Sequence, residues 1–599
     1  MGKNFFKITG LCLFFAIVFG ACATRSPGLR EEPPTADAAG AGAAAGAGAA
    51  AEAAKAPEPA REQAPQISDS SESVDSSESV DSDGAAPDYA ETRPRASVRD
   101  ELTVVSSWSE VELDFRKSYL ASEAQIFTGL YEGLLSYNPL TLEPTAAAAS
   151  RWVTSEDKKQ WTFTIRSNAR YWNGDPVTAG DFRAAWLSLL ENPDSPYSSL
   201  FDIIEGARDY RLGIINDSRG VGISAPDDRT LIVRLIAPAA FFPSMLCHHS
   251  FSPIHPSMLN NKDWSRGIPV SNGPFSVESI DNQKIVMKKN ENYWDARRVS
   301  LNKITIRFAE ADEAAILWNS GTAHWISGDV DYNSLTDRSG IEVNAMFATL
   351  YYFVRSANSP WNDPRIRRAL SLVLPWEKIR EGYYLPAKTL IYPIPGYPEI
   401  KGLDTYDEAE AQRLLEEAGY AKGVGLPDLV IRITASAESN RISQLMAAAW
   451  MEKLNIPVKL DVVSFNRYYQ SLKRDDYDVG FTSWIGDFAD PYTFLQMWRR
   501  DSYLNDAQFS NDEYEALIDK SMEEEGSKRW EILAQAEELL LSSGTVLPIS
   551  YTPAVNIVDT NELEGWYPNV LDIHPFKYLG FKSFRPLPGV AQAPFSVIH

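Results

Sequence analysis

The sequence predicts a mixed α/β protein that folds in more than one lobe. At 599 residues, the chain exceeds what a single hydrophobic core normally covers. Hydrophobic residues form 44% of it, which is ample material for several folded cores. From about residue 101 onward, strand-like and helix-like segments intermix without a fixed repeat, so the predicted fold class is α/β or α+β.

The strand predictions rest on alternating apolar and polar residues and on β-branched runs. In segment 161–166, Trp161, Phe163 and Ile165 alternate with polar neighbours, which is the period-two pattern of a half-buried strand. Further strands are predicted at 231–235, 284–289, 303–308 and 458–463.

Helices are predicted between these strands. The clearest covers 406–418, where Thr405 and Glu408 have the spacing of a capping box and Gly419 follows as a C-terminal stop. Other helices are predicted at 181–190, 364–374 and 441–454.

The N-terminus has the pattern of a targeting signal. Lys3 and Lys7 form a positive region, segment 11–19 is apolar, and Gly20, Ala21 and Cys22 end the stretch. We therefore predict a signal peptide over residues 1–21. Cleavage before a cysteine resembles a bacterial lipobox, in which Cys22 becomes acylated and holds the protein at a membrane. The protein is then extracytoplasmic, on the periplasmic side or at the cell surface. An ordinary secretory signal with an incidental cysteine is the alternative.

Residues 22–100 are predicted to be a lipidated, disordered tether. The segment is rich in Ala, Gly, Ser, Glu and Asp, and the sequence SSESVD occurs twice in succession, at 70–75 and 76–81. Such a composition buries too little apolar surface to offset the chain entropy lost on folding. A flexible chain of this length spans about 50 Å.

Charge and cysteine content exclude several classes of protein. The net charge of −24 repels phosphate backbones, so we predict no nucleic-acid partner. No apolar run after the N-terminus is long enough to span a bilayer. Cys247 is the single cysteine left for the folded part, which excludes an intramolecular disulfide there. It is interpreted as a buried thiol; a nucleophile served by His248 or His249 is the alternative.

Eight phrases, in order along the chain, resemble one family. From about residue 101 to the end, the chain resembles the extracellular solute-binding proteins of the peptide and nickel class (family 5), in their oligopeptide-binding branch. The phrases that carry this resemblance are FTGLYEGLL (127–135), WTFTIRSNARYWNGDPVTAGDF (161–182), DSPYSSL (194–200), SNGPF (271–275), YWD (293–295), WNDPRIRRAL (361–370), AQRLLEEAGY (411–420) and WIGDFADPYTFL (484–495).

The resemblance implies a two-lobed, periplasmic-binding-protein-like clamp with an additional domain and a ligand cleft between the lobes. It implies no catalysis, no metal and no cofactor. The implied division is lobe I at 101–128, 246–345 and 552–599, the additional domain at 129–245, and lobe II at 346–551.

The resemblance also implies the residues that hold a peptide. Asp487 matches the aspartate that pairs with the peptide's α-ammonium, whereas Asp490 better suits capping of the turn at Pro491. A plain turn-capping role is also the alternative for Asp487. Tyr197 matches a tyrosine that hydrogen-bonds to the ligand backbone. Tyr119, Ala121 and Ser483 match positions whose main chain lies beside the peptide. Three further residues match aromatic positions that line side-chain pockets: Trp484, Phe465 and Tyr351. Core packing is the alternative for each aromatic residue.

Two departures from the family pattern concern the same region. Ala348 and Ile485 match the positions of a disulfide in well-known members. Phe481 stands where that branch has an arginine, so the partner of the peptide carboxyl terminus is open; Lys473 and Arg474 are candidates.

The function that follows is capture of extracytoplasmic oligopeptides by a monomer, through clamp closure, and their delivery to the permease subunits of an ABC importer. Two alternatives stay open, and a third is disfavoured. The same fold could bind another solute, such as a murein peptide, a nickel complex, haem or a sugar, or the protein could be a surface adhesin or sensor. An enzyme is disfavoured because the sequence lacks the G-x-S-x-G, H-E-x-x-H, P-loop and paired C-x-x-C motifs.

Overall fold

The computed structural model describes residues 99–107, 111–259, 264 and 268–582. The predicted signal peptide, Cys22 and nearly all of the tether therefore lie outside the described residues. Among the described residues, no helix combines the length and the apolar character needed to cross a bilayer.

The strands are numbered here in chain order. They are β1 (Glu101–Ser106), β2 (Leu135–Tyr137), β3 (Pro144–Ala146), β4 (Ala149–Thr154), β5 (Gln160–Ile165), β6 (Ile223–Asp227), β7 (Thr230–Arg234), β8 (Phe275–Ile280), β9 (Lys284–Lys289), β10 (Lys303–Phe308), β11 (Trp325–Ile326), β12 (Ile341–Val354), β13 (Leu429–Thr434), β14 (Val458–Val463), β15 (Val479–Ile485), β16 (Val546–Val558), β17 (Leu563–Glu564) and β18 (Gly580–Phe581).

The α-helices are numbered in the same way. They are α1 (Ala121–Leu130), α2 (Ala179–Leu190), α3 (Ala207–Arg211), α4 (Phe242–Met245), α5 (Pro256–Leu259), α6 (Ala311–Asn319), α7 (Pro364–Leu372), α8 (Trp376–Ile379), α9 (Glu408–Glu417), α10 (Ala437–Leu454), α11 (Phe465–Ser471), α12 (Tyr492–Leu495), α13 (Asp512–Ser521) and α14 (Gly526–Ser542). Short 3₁₀ helices span Ser198–Ile203, Ser218–Gly220, His249–Phe251, Ala296–Arg298, Ala421–Gly423, Gln496–Trp498 and Phe576–Tyr578.

The largest sheet among the described residues is mixed and runs through most of the chain. Its strand order is β14-β13-β15-β12-β16-β11-β1-β10-β9-β8. A separate antiparallel sheet, β4-β5-β7-β6, lies between residues 149 and 234. The predicted mixture of strands and helices is confirmed.

Strands β12 and β16 form the centre of the large sheet. They are 14 and 13 residues long and antiparallel. The first joins β15, and the second joins β11. Their register shifts between Ala345 and Thr349 and again between Leu350 and Tyr351. These two strands connect the β13–β15 side of the sheet to the side that contains β1 and β8–β11. Their pairing is irregular at the two register shifts.

The hydrophobic core is divided as well. One buried cluster includes Trp186, whose indole donates to the Phe251 carbonyl at 3.1 Å. A separate cluster between β13, α7 and α10 includes Trp450, whose indole donates to the Leu370 carbonyl at 2.9 Å. Distinct cores agree with the prediction of more than one lobe.

The strand predictions are close to the observed bounds. Strands β9, β10 and β14 coincide with the predicted ranges, and β5 and β7 differ by one residue at each end. In β5, Trp161, Phe163 and Ile165 are buried, as the alternation predicts. A half-buried strand is set by local pattern, which explains this accuracy.

The predicted cap of the 406–418 helix is wrong. The helix is α9 (Glu408–Glu417), and its cap is Asp407, whose carboxylate accepts the Glu410 N–H at 2.9 Å. Thr405 lies too early, because a cap must reach the third helical N–H group. Gly419 has a φ of +89°, so the predicted glycine stop is confirmed. The other predicted helices correspond to α2, α7 and α10; α2 and α10 begin earlier, after the caps Thr178 and Ser436.

Candidate functional site

A cavity of about 1040 Å³ lies beside the central strands β12 and β16. Its walls come from the start of α1, from β15 and the loop after it, and from the segments near residues 248, 329, 465, 500 and 573. All eight residues that the sequence singled out for ligand binding line this one cavity: Tyr119, Ala121, Tyr197, Tyr351, Phe465, Ser483, Trp484 and Asp487. They lie up to 368 positions apart, and the fold brings them together.

Asp487 is held by the turn that follows β15. The Thr493 hydroxyl donates to its carboxylate at 2.8 Å and accepts its main-chain N–H at 2.9 Å. The preceding residue is Gly486, whose N–H donates to the Phe347 carbonyl at 2.8 Å. A Cβ on Gly486 would lie 2.5 Å from the Phe347 ring, so only glycine permits this approach. This close approach fixes the start of the turn against β12.

The Asp487 carboxylate is buried and has no cationic partner among the described residues. Its side chain is 6% exposed, and the nearest basic group is the His248 imidazole, with Nε2 at 3.6 Å. Burial raises the pKa of Asp487 to about 7, although hydrogen bonds from Thr493 and Tyr197 lower it. Burial also lowers the pKa of His248 to about 3. His248 is therefore neutral near pH 7 and does not compensate the carboxylate.

Aromatic rings close this end of the cavity. The Tyr197 ring lies edge-on to His248, with ring centres 4.5 Å apart, and Tyr197 is 4% exposed. The Tyr137 hydroxyl donates to the main-chain carbonyl of Asp487 at 2.8 Å. Tyr137 and His248 were not predicted as site residues. From the sequence, His248 and His249 are interpreted as possible bases for Cys247 and, because they are adjacent, as poor candidates for a metal site.

The second edge of β15 is open at Ser483. On its first edge, β15 pairs with β12, and among the described residues its only pairing with β13 is at Val479. The Tyr468 hydroxyl donates to the Phe481 carbonyl and accepts the Phe481 N–H, both at 2.9 Å. Because main-chain groups of alternate strand residues point the same way, those of Ser483 point to the side of Phe481, away from β12. They line the cavity.

The opposite wall is the start of α1. Ala121 is the first residue of this helix and is exposed, and the preceding Leu120 is extended, with φ −92° and ψ 137°. The Tyr119 ring packs against the Tyr469 ring, with centres 6.1 Å apart. Tyr119, Leu120 and Ala121 thus line the same cavity as Ser483, and whether their main chain lies beside a peptide stays a prediction.

The three predicted pocket aromatics differ in exposure. Tyr351 is 1% exposed and packs against Trp498, with ring centres 5.6 Å apart, while Trp484 is 7% exposed. Phe465 is half-buried and packs against Tyr469 at 6.2 Å. Tyr351 and Trp484 therefore serve the core as well as the cavity wall, whereas Phe465 presents more of its ring to the cavity.

The residues that depart from the family pattern are also located. Ala348 and Ile485 are directly paired across β12 and β15. Of the two candidate partners for a carboxyl terminus, Lys473 lines the cavity and Arg474 does not. The Arg474 guanidinium instead pairs with Asp476 at 2.6 Å and is 68% exposed.

Cys247 lies at the same end of the cavity as Asp487. The residue as a whole is partly exposed, whereas its thiol is buried, and the Sγ atom lies 3.6 Å from the Pro243 carbonyl. Burial raises its pKa. Burial lowers the pKa of His248 and of His249. A reactive cysteine needs the opposite shift, so these groups do not form an activated nucleophile.

Asp490 caps the turn after β15, as predicted, and also forms a buried ion pair. Its carboxylate accepts the Tyr492 N–H at 2.9 Å. Both of its oxygens accept from the Arg529 guanidinium, at 2.7 and 2.9 Å. The Arg529 Cζ atom lies 4.1 Å from the centre of the Phe241 ring.

Further contacts join the part of the chain that carries the four-stranded sheet to the segment after Asp487. The Arg208 guanidinium lies 3.0 Å from the Asp501 carboxylate. The Arg211 guanidinium lies 3.3 Å from the same carboxylate and donates to the Asp501 carbonyl at 2.8 Å. Although burial raises the pKa of Asp501, the two arginines hold it below its usual value. These contacts, which we call the outer contacts, lie outside the cavity.

Comparisons with known proteins agree on one family. The model of the bacterial extracellular solute-binding proteins, family 5, matches residues 143–506. The oligopeptide-binding protein OppA of Bacillus subtilis is 29% identical over 460 residues, which cover 72% of this chain and 84% of that protein.

Solved structures agree with the family model. The Escherichia coli murein tripeptide binding protein MppA aligns with a TM-score of 0.72 and 25% identity, covering 81% of this chain and 99% of that one. An unliganded open form of MppA aligns with a TM-score of 0.56 and 26% identity, covering 80% and 97%. This likeness confirms the predicted fold class, a two-lobed clamp of the periplasmic-binding-protein type with an additional domain.

Proposed function

Because the chain belongs to family 5 of the bacterial extracellular solute-binding proteins, we propose that it captures oligopeptides outside the cytoplasm and delivers them to an ABC importer. One observation carries the proposal. A buried carboxylate with no cationic partner among the described residues, Asp487, lies at the closed end of the cavity beside an open strand edge. A free peptide supplies the two groups that this arrangement lacks, an ammonium and an extended backbone.

A peptide ammonium would offset the free-energy cost of burying the Asp487 carboxylate. Burying a carboxylate without a partner is unfavourable, and the raised pKa of Asp487 reports that cost. A peptide α-ammonium at this position forms a charge-assisted hydrogen bond and removes the penalty. A neutral sugar offers no such compensation, which disfavours it as the ligand.

The open edge of β15 explains how the rest of a peptide is held. An extended segment that lies beside Ser483 adds a strand to the sheet, and main-chain hydrogen bonds give affinity without regard to side chains. The aromatic walls at Tyr197, Phe465 and Trp484 supply apolar contact. Water in such a cavity accommodates varied side chains.

The relatives support a peptide ligand and a closing clamp. One is an oligopeptide-binding protein and one a murein tripeptide binding protein. The chain aligns with one MppA structure at a TM-score of 0.72 and with an unliganded open form of MppA at 0.56, and this difference supports a clamp that opens and closes. We propose a binding protein that acts without catalysis and as a monomer.

The proposed division of the chain follows the sequence prediction. Lobe I comprises 101–128, 246–345 and 552–599, the additional domain 129–245, and lobe II 346–551. The four-stranded sheet falls wholly inside the additional domain, which supports this boundary. In this division, β12 and β16 pass between the lobes.

Acetylation of the peptide amino terminus is expected to abolish most of the binding. Without the ammonium, Asp487 stays buried and uncompensated, and the loss should be about 30-fold or more. Isothermal titration calorimetry on matched free and N-acetylated oligopeptides measures it, and murein tripeptide in the same series tests the closest alternative ligand. Equal affinity of the free and acetylated peptides would refute the proposal.

Peptide affinity is expected to fall as the pH is lowered below 7. Only ionised Asp487 attracts an ammonium, and its pKa of about 7 means that protonation competes with binding in this range. Between pH 7 and pH 5 its ionised fraction falls by about 50-fold, while a peptide ammonium stays protonated, so affinity falls by up to that factor. Calorimetry in two buffers of different ionisation enthalpy would also detect proton release on binding. Constant affinity across this range would contradict the assignment of Asp487.

Cys22 is proposed to anchor the protein through a lipid. The variant Cys22→Ala removes the acylated residue, and the protein should move from the membrane fraction to the soluble fraction. Fractionation of the expressing cells followed by immunoblotting measures this. Retention of the variant on membranes would argue for a different anchor.

A further inference from the structure

Only two basic side chains, other than histidines, line the cavity in the part of the chain that the structure describes. They are Lys473 and Lys577. The Lys473 Nζ atom lies 2.7 Å from the Asp506 carboxylate and donates to the Tyr503 carbonyl at 2.6 Å. The Lys577 Nζ atom lies 3.2 Å from the Glu132 carboxylate. Each lysine is already paired within the protein.

The Lys577 pair is buried and the Lys473 pair is partly exposed, and a ligand that takes either lysine breaks an existing ion pair. In the Lys577 pair the side chains are 10% and 4% exposed, and in the Lys473 pair 31% and 19%. A ligand carboxylate that took either lysine would leave Asp506 or Glu132 without its cation. An uncompensated buried charge is costly, so the exchange gives no net gain.

The remaining charges of the lining repel a carboxylate. Six carboxyl groups line the cavity: Glu132, Glu310, Asp329, Asp487, Asp506 and Asp572. Glu132 and Asp506 pair with the two lysines and Asp487 is the proposed ammonium partner, which leaves Glu310, Asp329 and Asp572 without a lysine from the lining. The carboxylate at the end of a bound peptide would therefore enter a region of negative electrostatic potential.

The exposure of the lining differs along its length. Around Asp487 the wall residues Tyr137, Tyr197 and His248 are buried. Elsewhere in the lining, Tyr384 is 73% exposed, and Ala121 and Glu310 are exposed as well. The amino end of a peptide is thus enclosed, while the lining offers contact with solvent away from it.

We propose that recognition is one-ended: the cavity holds a peptide by its amino terminus and gives its carboxyl terminus no cationic partner. This inference rests on the proposed function and narrows its substrate class. The preferred ligands are peptides whose carboxyl end is amidated or extends beyond the cavity. Free tripeptides, whose carboxylate must stay inside, are the least favoured members of the class.

Matched tripeptides and hexapeptides test this proposal, each as the free acid, the carboxyl-terminal amide and the N-acetyl form. Calorimetry should find that the tripeptide amide binds at least as tightly as the tripeptide acid, with a tolerance of about threefold in affinity. The hexapeptide acid and the hexapeptide amide should bind with the same affinity. A tripeptide acid that binds more than about threefold more tightly than its amide overturns the inference. The N-acetyl form separates the two failures. If it binds as well as the free peptides, the proposed function falls, whereas its weak binding beside a preferred acid defeats the one-ended model alone.

The variant Lys473→Gln provides a second readout. If Lys473 held the carboxyl terminus, the variant would weaken the acid but not the amide. We expect the ratio of acid to amide affinity to stay within about threefold of the parent, whatever happens to the absolute affinities. A selective loss of the acid would identify Lys473 as the carboxylate partner and overturn the inference.

Discussion

Replacing Asp487 with alanine is expected to weaken peptide binding by about 30-fold to several-thousand-fold, equivalent to about 2–5 kcal/mol. The substitution removes the carboxylate that lies 3.6 Å from the His248 imidazole at the closed end of the cavity. A bound ammonium would then be buried without a partner. Calorimetry or surface plasmon resonance with one unblocked oligopeptide measures the loss.

The variant should keep its fold, because Asp487 is costly to the unliganded protein. Its raised pKa means that burial already disfavours the charged form. A thermal unfolding midpoint at or above that of the parent separates lost recognition from lost structure.

A matched control removes a different carboxylate from the same cavity. Glu310 is exposed and lines the same cavity, so Glu310→Gln changes the cavity charge by the same amount without removing the proposed ammonium partner. It should alter the affinity by less than about threefold. If Asp487→Ala also stays within that range, Asp487 does not hold the ligand.

Replacing Arg529 with alanine is expected to lower the free energy of unfolding by about 3–5 kcal/mol. The Arg529 and Asp490 side chains are 6% and 9% exposed, and the truncation leaves the Asp490 carboxylate buried without its cation. The guanidinium also lies against the Phe241 ring, so the variant loses this contact too. Urea denaturation followed by circular dichroism measures the change.

An exposed arginine in a similar pair is the control for this variant. Arg413 on α9 pairs with Glu410 and Glu417 and is 54% exposed. Arg413→Ala should leave the free energy of unfolding almost unchanged, because exposed ion pairs contribute little. The double variant Arg529→Met with Asp490→Asn should recover part of the loss, since no charge is left buried. A loss below about 1 kcal/mol for Arg529→Ala would contradict the burial argument.

Local elements of the fold were predictable because their information is local. The period-two pattern of Trp161, Phe163 and Ile165 needs no knowledge of distant residues, and β5 lies within one residue of its predicted bounds. The same holds for the glycine stop at Gly419. The choice of Asp407 over Thr405 as the cap was missed, because both residue types can cap and only the backbone decides which one reaches the helix.

The candidate site was predictable through the family phrases and not through physical pattern. Tyr119 and Asp487 are 368 positions apart, and no local rule joins them. The resemblance singled out the eight residues, and the structure brings all eight to one cavity. Whether each contacts a ligand stays a prediction.

Features built from distant partners were missed. Three interactions join segments that come close only after folding. They are the ion pair of Arg529 with Asp490, the hydrogen bond from Tyr137 to Asp487 and the ion pair of Lys473 with Asp506. Composition shows that charges exist, and it does not show which of them are buried. Burial determines which charged residues contribute strongly to stability and binding, because it sets both the energy of an ion pair and the pKa of each group.

The outer contacts bear on how long any ligand stays bound. Arg211 and Asp501 are 6% and 12% exposed, so dissolved salt screens their attraction weakly. In the proposed clamp these contacts break whenever the lobes part, regardless of what lies between them. They therefore lengthen the residence time of every cargo by the same factor. Selectivity between ligands therefore depends on the residues that line the cavity. The proposed importer must supply enough free energy to break the outer contacts, whichever ligand is bound.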